Sequence, residues 1–247
     1  MRRQLLTGLL VTISLILLTS VAYPLAVWGV GQVAFSHQSD GSLVRVNGKV
    51  VGSSLIGQNF TDKAGNPLPQ YFQPRPSAAG VNGYDPTASS ASNLGPSNPD
   101  LIGNDIGHPQ DNPFRTPADP YCVPVPAPTK TNSGPVYKKN PDGTYVCNPT
   151  TVPERVLAYR RLNGLAPDVA VPVDAVTASG SGLDPDISVA NALDQAPRVA
   201  RARHLDVATV VALVHQHTRG RAWGILGENT VNVLDLNVAL DRPTGAG

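Results

Sequence analysis

The amino-acid sequence predicts an α+β protein: one N-terminal transmembrane helix, then a single extracytoplasmic α+β domain with long irregular loops. Three observations carry this reading. No Asp, Glu, Lys or Arg occurs from Gln4 to Gln38, a hairpin signature with later helical and alternating apolar patterns follows, and proline crowds the middle of the chain. The expected boundaries are a cytoplasmic N-terminus at 1–4, a span at 5–30 and an extracytoplasmic domain at 31–247 with a Pro-rich insertion at about 102–150.

The stretch from Leu5 to Val30 is dominated by Leu, Val, Ile, Thr and Gly. About 20 apolar residues cross ~30 Å of hydrocarbon, and this run exceeds that with Pro24 interrupting its second half. Tyr23 and Trp28 suit the far interface. Arg2 and Arg3 precede the span and Asp40 is the first charge after it, so the positive-inside bias puts the N-terminus in the cytoplasm. The alternative is a cleaved signal peptide, with Ser20-Val21-Ala22 as its cleavage site, which exports the same body. The apolar run continues past Ala22, as an anchor requires.

The net charge of +1 leaves no positive excess for a nucleic-acid backbone. The two cysteines, Cys122 and Cys147, both fall in the exported part, where a disulfide is expected. Such a closed loop stabilises by roughly 3–4 kcal/mol on the chain-entropy account. Zinc with His108 as a third ligand is the rival, but the pair lacks CxxC spacing.

Residues 43–51 read Leu-Val-Arg-Val-Asn-Gly-Lys-Val-Val, and Asn47-Gly48 between β-prone runs predicts a type I′ hairpin. Residues 52–99 are rich in Gly, Ser, Asn and Pro, yet Phe60, Tyr71, Phe72 and Tyr84 recur as anchors for an ordered, turn-rich surface. From about 102 to 150 proline is too dense for helix or central strand, which predicts an extended loop pinned by the cysteines. Thr151 and Glu154 have capping-box spacing ahead of a helix that Gly164 would stop, with Arg155, Arg160 and Arg161 on a solvated face. A β-prone run covers Val169–Val176. Asp206 is placed to cap a helix whose Val207, Val210, Val211 and Val214 form one stripe. In VNVLDLNVAL, Leu234, Leu236, Val238 and Leu240 alternate as in a half-buried strand.

Chemistry is scarce. His215 and His217 are two apart and cannot chelate from one helix face, so no metal is expected. Asp184 and Asp186 lack the calcium-loop pattern and are expected to shape a turn and start a helix. Ser181 sits in a Ser-Gly-Ser-Gly sequence that misses the first glycine of a nucleophile elbow. No Walker A or dinucleotide glycine pattern is present. The chain is therefore expected to be no enzyme and to bind no cofactor of its own.

Seven blocks carry a family resemblance: Tyr23 to Leu25, GSSLIGQNF from Gly52, YFQPRPSA from Tyr71, SNLGPSNP from Ser92, VPVDAVTASGSGLDPDIS from Val171, QAPRVARAR from Gln195, and VNVLDLNVALD from Val231. Their order and spacing are similar to those of the C subunit of the Kdp potassium-transporting P-type ATPase. Lys63–Pro69 and the stretch from about Ile102 to Thr150 depart from that pattern. The resemblance implies an accessory subunit of the cell membrane that assists assembly and activity. Its implied partners are a potassium-conducting subunit, an ATP-hydrolysing P-type ATPase subunit and a small single-span subunit, with potassium as the transported ion. It further implies a catalytic chaperone that raises the ATP affinity of the ATPase subunit, with Gln195 as the nucleotide-related candidate.

The expected sidedness separates Gln195 from cytoplasmic ATP, which favours a domain capping the outer potassium entrance. Candidate contact residues are Gln58, Asn59, Arg75, Ser77, Asn93, Asn98, Ser181, Asp184 and Arg198. The alternatives are a membrane-tethered exported binding domain unrelated to a pump, and an exported hydrolase using Ser181.

Overall fold

The computed structural model describes residues 1–95, 98, 139–141, 143 and 151–242, and the backbone of 126–131 and 134–137. Cys122, Cys147 and His108 lie outside these residues. The chain forms two compact units, Met1–Leu55 and Ile56–Gly247.

In the first unit, α1 (Arg2–Leu17), a π turn (Leu18–Ala22) and α2 (Tyr23–Ala34) make one continuous helix of 33 residues, longer at both ends than the predicted 5–30. It is long and apolar enough to cross a membrane, and none of its most apolar window is buried. Pro24 does not break it. Proline has no N–H for the carbonyl four residues back and its ring crowds that carbonyl, so the wider π turn just before it absorbs the mismatch. A single-turn α3 (Ser36–Ser39) leads to the hairpin of β1 (Leu43–Val46) and β2 (Lys49–Ser53). Val46 pairs with Lys49 across Asn47 and Gly48, whose φ values of 50° and 78° give the predicted type I′ turn. A bulge between Val44 and Arg45 accommodates one extra residue on β2.

In the Pro-rich stretch, β3 (Pro126–Thr131) and β4 (Gly134–Tyr137) pair antiparallel. The extended loop expected there thus contains a two-stranded ribbon, with no helix or central strand among its described residues. A two-stranded ribbon has only edge strands, so prolines that donate no ladder bond are tolerated.

The remaining body begins its helices at α4 (Val152–Asn163). Thr151 Oγ1 accepts from Glu154 N–H at 3.4 Å and Gly164 ends the helix at φ 68°, as predicted. The run Val169–Val176 is no strand: only its last turn is ordered, as α5 (Val173–Val176) after Pro172. Val169 and Val173 are exposed, so no buried face holds a strand there.

Next, β5 (Asp186–Ser188) enters α6 (Val189–Arg203), and α7 (Val207–Gln216) packs against it. Asp184 shapes a turn by accepting from Asp186 N–H at 3.1 Å, but the helix is started by Ser188, which accepts from Asn191 N–H. Asp206 stands at the N-cap of α7 without a side-chain bond, and Val207 is exposed, so the buried stripe narrows to Val210 and Val214, flanked by half-buried Val211.

The short β6 (Thr218–Arg219) and β7 (Thr230–Asn232) complete an antiparallel sheet of order β5-β7-β6, with Ile187 opposite Val231 and Val231 opposite Thr218. The final α8 (Val233–Asp241) corrects the strand expected in VNVLDLNVAL. Asn232 caps it by accepting from Asp235 N–H at 3.0 Å, and Val233, Leu236, Asn237 and Leu240 fall on one helical face. One core joins Phe72, Ile187, Ala192, Ala196, Val199, Val210, Val214, Val231 and Leu236.

Candidate functional site

The segment Leu68–Gln73 runs irregularly across the helices, half-buried except for exposed Pro69 and buried Phe72, and each of its six carbonyls accepts a side-chain hydrogen bond. Gln195 of α6 accepts from Gln73 N–H at 2.7 Å through Oε1 and donates to Gln73 C=O at 3.0 Å through Nε2. One residue earlier, Asn237 of α8 does the same to Phe72, at 2.8 and 2.9 Å. The two amides thus imitate a strand partner for two consecutive residues.

Arginines hold the other carbonyls. Arg198 donates to Pro69 O at 2.6 Å and Tyr71 O at 3.0 Å, and Arg203 to Gln70 O at 2.6 Å. The Arg203 guanidinium also lies 4.8 Å over the Tyr71 ring and pairs with Asp241. Gln73 returns its own side-chain amide to Leu68 O at 3.1 Å and Phe60 O at 3.0 Å.

Gln195 is therefore framework. It is 1% exposed, and beyond Gln73 it donates to Asn191 Oδ1 at 2.8 Å and accepts from Arg198 Nη2 at 2.8 Å. An amide offers two donors and two acceptor positions, and all are in use.

Arg198, named among the candidate contact residues, is likewise buried and binds Asn163 Oδ1 through Nε at 2.9 Å. Burial lowers its pKa to about 10, so the charge persists at neutral pH. Tyr159 donates to Asn191 Oδ1 at 2.9 Å, and burial, reinforced by Asp194 and Asp174, pushes its hydroxyl pKa up. The arginines of α4 are not simply a solvated face: Arg155 donates to Val176 O at 2.9 Å and Arg160 to Val169 O at 2.6 Å, leaving Arg161 exposed.

The other candidates divide. Gln58, Asn59, Arg75, Ser77, Ser181 and Asp184 belong to loops that bond to one another. Gly57 N–H donates to Leu183 O at 2.9 Å, Arg75 pairs with Asp184 at 2.8 Å, and Ser77 Oγ donates to Gly182 O at 2.6 Å while accepting from Tyr84 N–H at 2.8 Å. Tyr84 donates to Arg75 O at 2.7 Å, and burial, aided by Asp184, raises its pKa. Gln58 and Asn59 line an open cleft of about 710 Å³ with Asp62, Asn82 and Gly83. Asn93 is exposed at φ 54°, and Asn98 donates its N–H to Gly95 O.

Ser181 is exposed, and its hydroxyl accepts from Leu183 N–H at 3.1 Å, a turn-forming role. Among the described residues no histidine bonds to it and no His, Cys, Asp and Glu group is arranged to hold a metal ion. His217 Nδ1 meets Leu213 O of its own helix, and His215 is exposed.

Asn237, Asn191, Asn163 and Arg203 were missed as framework residues. The available signal was a polar side chain on an otherwise apolar helical face, most plainly Asn237 beside Leu236.

Fold and site together define a class: a chain with one candidate membrane span among its described residues and a small α+β body whose buried polar residues brace its loops. Comparison with known proteins gives the particular family. The profile described as KdpC, K+-transporting ATPase c chain, matches residues 5–136 and 140–242, and the chain belongs to this family. It is a subunit of a membrane complex and not the complex's catalytic subunit.

Proteins described as the potassium-transporting ATPase KdpC subunit include one from Mycobacterium tuberculosis strain H37Rv, 44% identical over 242 residues, which cover 98% of this chain and 100% of the relative. That of Kineococcus radiotolerans is 44% identical over 238 residues, covering 96% and 93%, and that of Rhodospirillum rubrum is 43% identical over 242 residues, covering 98% and 97%. The profile match runs through Lys63–Pro69 and into the Pro-rich stretch, where the chain was expected to leave the family pattern.

Proposed function

We propose that this chain is an accessory, non-catalytic subunit that acts by contact on the extracytoplasmic side of its potassium-transporting ATPase. Its N-terminus lies in the cytoplasm, held there by Arg2 and Arg3, and the body from about residue 31 lies outside. The partners are the potassium-conducting subunit, the ATP-hydrolysing subunit and the small single-span subunit implied by the family. The loops bearing Gln58, Asn59, Arg75, Ser77, Ser181 and Asp184 cap the outer entrance through which potassium reaches the conducting subunit, with the Asn93 and Asn98 loop beside them.

The observation that carries this reading is the exhaustion of Gln195. A residue with every hydrogen-bonding position committed to its own fold has none left for ATP. The chain binds no cofactor itself, and any rise in the ATP affinity of the ATPase subunit is transmitted through protein contact.

Two measurements test the reading. Co-expression of the tagged chain with the other subunits and purification in mild detergent should recover a stoichiometric complex; recovery of the chain alone favours the unrelated tethered binding domain. Labelling Cys122 and Cys147 after reduction with a membrane-impermeant thiol reagent should succeed in intact cells, and labelling only after lysis overturns the sidedness.

A further inference from the structure

The loop from Gly220 to Asn229, between β6 and β7, is used by nothing so far. It is closed on itself: Ala222 N–H donates to Leu226 O at 2.9 Å and Leu226 N–H returns to Ala222 O at 3.0 Å. At its tip Trp223 sits at φ 52° and Gly224 at φ 78°. A bulky residue in the left-handed region is disfavoured, so the closed turn around it must impose the conformation.

That conformation presents rather than hides the side chain. Trp223 is 88% exposed, Ile225 75% and Leu226 53%. Among the described residues from Ile56 onward, no other place gathers three exposed large apolar side chains within four positions. Arg221 beside them is exposed, while Arg219 at the loop's base is tied to Asp235 at 2.7 Å.

Isolated exposed apolar residues are ordinary, but a strained turn that projects a tryptophan and an isoleucine beside an exposed arginine is shaped for binding. Tryptophan and arginine are the residues on which protein interfaces concentrate their energy, and a preformed turn loses little freedom on docking. A fluid bilayer needs no rigid geometry to receive an apolar side chain, whereas a fixed pocket does. The chain's family is that of one subunit among several, which supplies such a surface.

We propose that the Trp223 loop is a docking anchor onto another subunit of the same ATPase. Trp223 and Ile225 enter an apolar pocket, and Arg221 meets an acidic rim. The inference rests on the accessory-subunit reading and adds to it the element that grips.

The test uses the full chain co-expressed with the other subunits, with a benzophenone side chain in place of that of Trp223. Illumination should give an adduct with one subunit, diminished by Arg221→Glu and abolished by Ile225→Asp. Trp223→Ala with Ile225→Asp should weaken recovery of the complex by about thirtyfold, the effect of losing an interfacial hot spot. All three variants should keep the unmodified melting temperature, since they alter exposed side chains. An adduct with lipid alone, or none from an intact complex, overturns the anchor and leaves the accessory role standing. Failure of the unmodified chain to recover any subunit overturns that role and the anchor with it.

Discussion

Gln195→Ala tests the claim that this residue is structural, and its cost follows from the bonds it makes. Arg198 would keep Asn163, Pro69 O and Tyr71 O, and Asn191 Oδ1 would keep the Tyr159 hydroxyl. The groups stranded are the N–H and C=O of Gln73, beneath a residue only 1% exposed. Each buried polar group left without a partner costs about 1–3 kcal/mol, so the pair costs roughly 2–6 kcal/mol. At about 2–4 °C per kcal/mol, the midpoint should fall on the order of 10 °C. The assay is thermal unfolding of the full chain in mild detergent, followed by near-ultraviolet circular dichroism and paired with ATPase activity of the complex against ATP concentration. Asn237→Ala should behave alike, and the double variant should lose less than the sum, because both residues brace the same two-residue stretch. A Gln195→Ala chain that melts within about 2 °C of the parent, in a complex whose ATP dependence has nonetheless collapsed, would refute the reasoning.

Three further outcomes are expected. Gly182 has φ 68°, and a Cβ there would stand 2.5 Å from Ser90 O and 2.8 Å from Ala79 N, so Gly182→Ala should destabilise by about 2–3 kcal/mol in denaturant titration. Arg75→Ala removes a half-buried ion pair with Asp184 and should cost about 1 kcal/mol, with a smaller loss at high salt. Burial raises the Asp194 carboxyl above its ordinary 3.8. Stability tied to its protonated form is complete below that value and is lost as pH rises through the raised one. Asp194→Asn should therefore melt above the parent at pH 7 and converge with it toward pH 4, as read from midpoints across that range.

The parts legible in the sequence were those decided locally. Asn47-Gly48 fixed a turn, Thr151 and Gly164 bounded a helix, and the long uncharged run formed one helix, because each depends on neighbours a few residues away. The final helix was hidden by coincidence: Leu234, Leu236, Val238 and Leu240 alternate, while the stripe Val233, Leu236, Asn237 and Leu240 passes through a polar residue. Pro197 similarly divides by eye what is one helix from Val189 to Arg203. The clamp on Phe72 and Gln73 could not be read at all, since its partners lie 165 and 122 residues away and polar side chains do not announce whether they face inward. For that reason the bracing roles of Gln195 and Arg198 were not legible, and the Trp223 loop, whose apolar residues resemble any core fragment, passed unnoticed.

The carbonyls of all six residues from Leu68 to Gln73 are occupied by side chains, that of Leu68 by Gln73 of the same segment and the others by Gln195, Arg198, Arg203 and Asn237, and Pro69 and Pro74 stand near its two ends. Irregular stretches of this kind ordinarily leave a ragged border to which a second molecule can add a strand. Here the border is sealed from within. Chains crowded side by side in a bilayer would meet without a template for cross-molecular β pairing along this stretch.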